Sequence, residues 1–320
     1  MFRPFRQWPA FFRANPSSRV QARHLRSARL RALAQLLPLE QLEGRDVPAV
    51  INLTVTSLAD TGVGTLRSAI TTADTGDPTD SYVINITTPG TITLESALPD
   101  LSHDITITGL PTVVGSAVRR DPRLATRFRI FTVDPGATVN LTGLTITGGN
   151  VGGGDGGGVD NSGTLAVSHC ALVGNTAGHG GGLANEFGGT VTVSASTFTR
   201  NFAALGGGLF NQRGATATVS ASAFAGNTAG AGGGLYNAGT ATVSASAFTA
   251  NTAGAGGGGL YNAGVLTVRS SAFTRNSAVL YGGGIYDVGT LLPSPPQSFN
   301  KFAGNTPDDV DGLQLRRRHR

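Results

Sequence analysis

Between Asp100 and Asp134 the chain carries the one concentration of acids and arginines in its body: Asp104, Arg119, Arg120, Asp121, Arg123, Arg127, Arg129 and Asp134. A carboxylate beside a guanidinium has its pKa displaced by the neighbouring charge, which is how a side chain is fitted for general acid or base work. Asp104, Asp121 and Asp134, with Arg119 and Arg123, are therefore the candidate catalytic residues. Residues 116–128 are expected to form a loop projecting from the body and carrying much of this group.

Other reactive residue types are scattered more thinly. His169 and Cys170 are adjacent, a pairing that suggests metal or thiol chemistry, but two ligands without a third make a poor zinc site. Cys170 also falls where later copies of a repeat have Ser196, Ser222, Ser246 and Ser271, so a small-residue exchange accounts for it. From residue 148 to 299 the acids are Asp155, Asp160, Glu186 and Asp287. Calcium takes six to eight oxygen ligands, and Asp160 and Asp287 are expected to lie several coils apart. The glycines around Asp155 do not keep the GGxGxD spacing of calcium repeats, and they read as a flexible turn. No metal or cofactor is expected. His179, between Gly178 and Gly180, aligns with a glycine turn in a later copy and reads as a turn histidine.

Aromatic residues form a separate candidate. Tyr236, Tyr261 and Tyr286, with Phe210 in the equivalent earlier place, follow an inward-pointing aliphatic residue in each copy. They would make either an outward stripe able to bind sugar rings or a partner protein, or a row packed beneath a neighbouring turn.

The elements that position these residues come from an internal repeat. GGGVDN starting at Gly156 recurs as GGGLAN at Gly180, GGGLFN at Gly206, GGGLYN at Gly232 and Gly257, and GGGIYD at Gly282. The starts are 24, 26, 26, 25 and 25 residues apart. A second marker keeps time between them: Phe198 and Asn201, Phe224 and Asn227, Phe248 and Asn251, Phe273 and Asn276, with Leu172 in the first copy. Within a copy, Thr242-Val243-Ser244-Ala245-Ser246 alternates polar and apolar residues as a half-buried strand does. Glycine and asparagine then punctuate the run, as tight turns require. Runs of Gly and of Ser, Thr and Val are poor helix formers.

Each copy is thus one coil of two or three short strands, and the fold is an all-β, right-handed parallel β-helix solenoid. Stacking predicts an inner pile of phenylalanines and a hydrogen-bonded ladder of asparagines. Less regular strands are expected upstream at 82–86, 91–94, 105–107, 131–133 and 139–146. Leu66, Ala69, Ile70 and Ala73 have helical spacing and predict a short amphipathic N-terminal capping helix over 64–73. Pro293, Pro295 and Pro296 would interrupt the ladder, and residues 306–312 finish it. The domain reading is a basic leader, 1–49, disordered or processed; a β-helix, 50–313, with irregular coils at 50–150 and regular coils at 151–305; and a basic tail, 314–320.

Composition narrows the function classes. The chain has 320 residues, 47 glycines, 13% charged residues and a formal charge of +5. Nine arginines crowd the first 49 residues and four more close the chain, so the basic balance describes the ends. The body lacks a basic face interleaved with aromatics, and no nucleic-acid partner is expected. No stretch approaches the ~20 apolar residues of a membrane-spanning helix. Cys170 is the sole cysteine, which rules out an internal disulfide. Residues 19–37 could form a cationic amphipathic helix at a membrane surface, or belong to the leader.

These repeats resemble those of secreted bacterial β-helix proteins of the pectin-lyase-like superfamily, in particular those with polymorphic outer-membrane-protein-type repeats. The run from Val55 to Ile70, with Gly64-Thr-Leu-Arg-Ser-Ala-Ile70, is similar to the opening of such proteins. Leu39-Glu-Gln-Leu-Glu-Gly-Arg-Asp-Val-Pro48 is similar to the leader of large exported bacterial proteins. The resemblance implies an extracellular or outer-envelope location. It also implies a non-enzymatic scaffold with an adhesive or envelope role, with polysaccharide or envelope components as partners. The alternative it implies is a polysaccharide-active lyase or glycoside hydrolase. An autotransporter barrel is not recognised, so self-translocation is not expected.

Overall fold

A computed structural model describes residues 48–110, 115–292 and 299–312. The leader, the basic tail and the three prolines after Leu292 lie outside the described residues. The backbone winds as a parallel β-solenoid. Its ten-stranded sheet runs from Val50–Val55 to Thr290–Leu292, and a nine-stranded sheet from Gly90–Leu94 to Lys301–Ala303. An eight-stranded sheet runs from Phe131–Val133 to Val310–Gly312, and a four-stranded sheet from Phe202–Leu205 to Ser277–Ala278. Neighbouring strands come from successive coils and pair in parallel. One regular coil consists of Thr216–Ser220, Ala223–Ala225, Thr228–Ala231 and Leu235–Asn237. The coils thus hold up to four strands where two or three were expected.

Stacking in register turns each repeat position into a column. Phe198, Phe224, Phe248, Phe273 and Phe302 stack inside with ring centroids 4.6 to 5.3 Å apart, the inter-strand spacing of a sheet. Leu172 and Ile146 continue the column upstream. Two asparagine columns are buried beside it. Asn201 donates from Nδ2 to the Leu172 carbonyl at 2.9 Å and to Asn227 Oδ1 at 3.0 Å, while its own Oδ1 accepts from Asn175 N. Asn161, Asn185, Asn211, Asn237 and Asn262 chain through side-chain amides in the same way and end on Asp287. A buried amide is costly unless its bonds are made; here each coil satisfies the one before it. Cys170 and Ser196, Ser222, Ser246 and Ser271 form a further column, each accepting or donating across one coil.

The glycine blocks have a geometric cause, clearest in the coil at Gly232. Gly232 has φ +65°, a conformation that favours glycine. A Cβ on Gly233 would lie 2.5 Å from the Gly258 carbonyl oxygen, and one on Gly234 would lie 2.7 Å from the Phe248 ring. The third glycine therefore makes room for the phenylalanine column.

The amphipathic helix is present as α1 (Leu66–Asp74), capped by Thr65 Oγ1 accepting from Ser68 N at 3.2 Å. It buries Leu66, Ala69, Ile70 and Ala73 and packs against Val50–Val55 and Ser81–Ile86 at the N-terminal end of the ten-stranded sheet. Two expectations are corrected. Residues 139–146 form two strands, Thr138–Thr142 and Leu144–Thr147, because Gly143 turns a corner at φ +67°. The supposed projecting loop begins as the strand Ser116–Arg120, with Ser116, Val118 and Arg120 buried, because its alternation fits the ladder between Gly90–Leu94 and Leu144–Thr147. Residues 306–312 end in the edge strand Val310–Gly312, paired with Ile285–Asp287.

Phe224→Ala is expected to destabilise the protein by about 3–5 kcal/mol in denaturant titration, because a fully buried ring leaves a cavity between two others. Ala245, held at φ 48°, should respond oppositely. Glycine there relieves left-handed strain and should raise the unfolding free energy by up to about 1 kcal/mol in denaturant titration. A loss of stability would show that the corner is unstrained.

Candidate functional site

On the eight-stranded sheet the middle residue of each three-residue strand faces outward. Register makes these residues one column along the solenoid: Thr132, Asp160, Ala184, Phe210, Tyr236, Tyr261, Tyr286 and Asp311. Asp160 stands in its first part, the aromatic residues from Phe210 to Tyr286 follow, and Asp311 ends it.

The polar end is built from three successive coils. Arg129, just before the strand Phe131–Val133, places Nη1 2.6 Å from Asp160 Oδ2. Glu186 sits in a turn two residues longer than the one after Asn161, since Glu-Phe-Gly-Gly stands where Ser-Gly stood. Its N–H donates to the Asn161 carbonyl at 2.8 Å, and its carboxyl lies near enough to that of Asp160 for the two to interact electrostatically. Asp160 Oδ1 and Glu186 Oε1 are both buried with no hydrogen-bond partner among the described residues. Burial first, and the surrounding acids second, push the Glu186 carboxyl up to about 7. Asp160 is pushed up to about 6, mainly by burial, against the pull of Arg129. Beside them Asp155 Oδ1 lies 2.6 Å from His179 Nδ1, and the two residues bridge adjacent coils.

The His179 ring joins the polar end to the aromatic one, stacking on Phe210 with centroids 5.0 Å apart. Phe210 and Tyr236 follow at 5.6 Å, and Tyr236 and Tyr261 at 4.7 Å. Tyr261 and Tyr286 meet edge-on at 5.2 Å, with Tyr281 stacked on Tyr286 at 5.0 Å. The two alternatives for this stripe are partly combined. Phe210 is buried, the three tyrosines are half-buried, and the Tyr286 ring packs where a Cβ on Gly256 would be. Stacked rings cover each other's faces, so what they offer outward is chiefly their edges. Burial raises the phenol pKa values of Tyr236 and Tyr261. An open groove of about 700 Å³ follows the turns just after these strands, bordered by Arg213, Gly239, Thr240, Gly264 and Thr290. It runs along the solenoid beside the tyrosines and does not include the acid pair.

The residues first singled out do not meet. Asp104 is exposed on the ten-stranded sheet and accepts from Ser81 Oγ at 2.8 Å. Arg119 is exposed on the nine-stranded sheet beside Thr93. Asp121 is held by Arg123 at 2.7 Å, and this hydrogen-bonded guanidinium keeps its carboxyl down at about 2. Arg120 is buried, donating to the carbonyls of Gly148, Leu124 and Thr126. Asp134 follows a strand of the eight-stranded sheet, its pKa raised by burial and by Asp100 and Asp74. A coil distributes successive residues around its perimeter, which separates this sequence cluster; from it Arg129 alone joins the acid pair. Cys170 is buried, with its thiol pushed up to about 11 by burial, while His169 turns outward at φ 53°. From sequence, Asp155, Asp160 and Glu186 are weighed only as calcium ligands and His179 only as a turn residue. The signal that unites them is spacing near one coil length, 24 residues from Asp155 to His179 and 26 from Asp160 to Glu186.

No protein-family model matches the chain, and no curated protein sequence matches it. Among solved structures, that described as the crystal structure of pectate lyase Pel9A is similar at 14% identity, with a TM-score of 0.44 over 85% of this chain and 80% of that one. No activity is carried from it to this chain. The topology defines the class: a parallel β-helix with an acid–histidine–aromatic column on one outer face.

The acid pair should leave a pH signature. Both carboxyls hold their protons more tightly when folded, so their contribution to stability is full below the ordinary carboxylate range and is lost as pH rises through about 6 and 7. Denaturation midpoints are expected to fall between about pH 4.5 and pH 7, and Glu186→Gln should flatten much of that slope. An unchanged slope in the variant would mean that the Glu186 carboxyl does not carry the titration.

Proposed function

We propose that this chain is a secreted or cell-surface β-helix scaffold that binds an extended polysaccharide along its outer column, in an adhesive or envelope role. What supports the reading is the continuity of the column. Hydrogen-bonding groups at Asp160, Glu186 and His179 run in register into the edges of Phe210, Tyr236, Tyr261 and Tyr286, with a groove alongside. Sugars present alternating hydroxyl and C–H surfaces, and a binding surface for them needs a few fixed polar groups set into apolar area. A rigid solenoid supplies these without ordering a loop, which lowers the cost of binding.

A second reading, glycoside cleavage, is favoured by the two neighbouring carboxyls of Asp160 and Glu186, whose pKa values burial pushes up to about 6 and about 7. Near neutral pH one carboxyl could donate a proton to a leaving oxygen while the other acts as a base. Binding and turnover of soluble and insoluble polysaccharides by the purified chain separate the two. The expected result is binding without product, weakened at least about tenfold by Tyr236→Ala with Tyr261→Ala, roughly the loss of one good contact. Product formation abolished by Glu186→Gln or Asp160→Asn would establish the enzyme instead. Absence of binding to any polysaccharide, with the β-rich circular dichroism intact, would remove both readings.

A further inference from the structure

We propose that the glycan lies in the groove beside the tyrosines, with one sugar ring against the side chain of Phe187, and that it is uncharged. This rests on the reading that this side of the solenoid binds an extended polysaccharide. The groove has its origin in turn length. Four residues, 186–189 and 212–215, separate the ladder residues Asn185 and Asn211 from the next strand, whereas only two follow Asn237, Asn262 and Asp287. Two long turns therefore stand as a step above three short ones. The short turns stay bare, because a Cβ on Gly239, Gly264 or Gly289 would collide with the backbone of the preceding coil.

At the step the protein presents a ring that its own fold does not cover. Phe187 is 76% exposed, yet it is held in place. Its N–H donates to Gln212 Oε1 at 2.5 Å, and its ring leans on Gly214, where a Cβ would lie 2.7 Å from two ring carbons. Gly214 also lines the groove, so the ring stands at the upstream end of a cleft of about 700 Å³. Clefts of ~300–1,000 Å³ that set a few polar groups into apolar area are the usual form of a small-ligand site.

The polar groups along the floor are hydroxyls. Thr216, Thr240 and Thr290 line the groove and are exposed, with Val265 taking the corresponding place between the last two. The carbonyls of these threonines accept from the ladder asparagines Asn185, Asn211 and Asn262. Their hydroxyls have no partner among the described residues. Stacking sets the four positions about 4.8 Å apart, so hydroxyl and methyl groups recur at a fixed spacing along the axis.

Charge decides the class of glycan. Among the described residues that border the groove, Arg213 alone is charged. A polyuronate has a carboxylate on every sugar and would find one cation across four turns. A polymer of amino sugars would meet repulsion from that cation and no acid. A neutral glycan asks only for hydroxyl partners and a ring to rest on, and the groove has both. Four turns give a floor about 14 Å long, far less than the ~800 Å² that each partner of a stable protein complex buries, so a second protein chain is a poorer fit.

Calorimetry of the full chain with equal-length linear oligomers of glucose, mannose, N-acetylglucosamine, galacturonate and glucosamine, at low and high salt, tests the assignment. At least one neutral oligomer is expected to bind at least about tenfold more tightly than either charged one, with an affinity that salt leaves unchanged. Phe187→Ala should weaken that binding about tenfold or more. Ala263→Trp, which fills the floor from an exposed position, should abolish it. Phe202→Ala, at an exposed ring of the four-stranded sheet, should leave it in place, with the β-rich circular dichroism intact in all three variants.

Tighter binding of the galacturonate or glucosamine oligomer, weakened by salt, would overturn the neutral assignment while keeping the polysaccharide reading. Neutral binding that survives Phe187→Ala and Ala263→Trp but is lost with Tyr236→Ala and Tyr261→Ala would overturn the groove and place the glycan on the tyrosine edges. Binding of none of the five by a folded chain would overturn this inference, and the insoluble polysaccharides of the broader screen would then decide whether the parent reading survives.

Discussion

The structure depends on one constraint: each coil must lie on the last in register, so that every buried polar group meets its equivalent one coil away. The backbone ladders impose the spacing, and the side chains that can use it are few. Asparagine is suited because its amide both donates and accepts, so a column of them closes on itself with no group left over. Phenylalanine is suited because flat rings can pile at the same repeat distance. A slip of one residue would bury the outward threonines and unpair both asparagine columns together, which is why register is specified so strongly.

That constraint also governs the surface. Chemistry on a solenoid is assembled along the axis, between residues a coil apart, and not along the chain. The acids of residues 104–134 illustrate the failure of linear proximity, since one coil carries Asp104, Asp121 and Asp134 to different sides. Arg129, Asp160 and Glu186 illustrate the converse. They are far apart in sequence and converge because each stands at or beside the same position of a successive coil.

Variation is confined to the corners. The lengthened turn after Asn185 carries Glu186 to Asp160 without disturbing the asparagine ladder beneath, which continues from Asn161 through Asn185 to Asn211. The same separation lets Asp160 and Ala184 stand where later coils place tyrosine, because the middle strand position points away from the core, even where neighbouring side chains cover it as at Ala184. Acid and aromatic character can therefore change from coil to coil while the fold stays the same.

The sequence by itself determined the coil and its contents. Periodicity was enough to identify the parallel β-helix, the inner column from Phe198 to Phe273, the asparagine ladders, the serine position of Cys170 and the helix beginning near Leu66. These follow from local alternation, turn chemistry and a repeat length, all of which a linear string displays. Tertiary structure alone decided how far each coil turns between its strands, and hence which outward residues share a face. It made residues 116–120 a strand, half-buried the tyrosine row, and brought Asp155, Asp160, His179 and Glu186 together with Arg129. The physical reason is that burial and charge interactions depend on distances across coils, and an insertion of two residues in one turn is enough to change them.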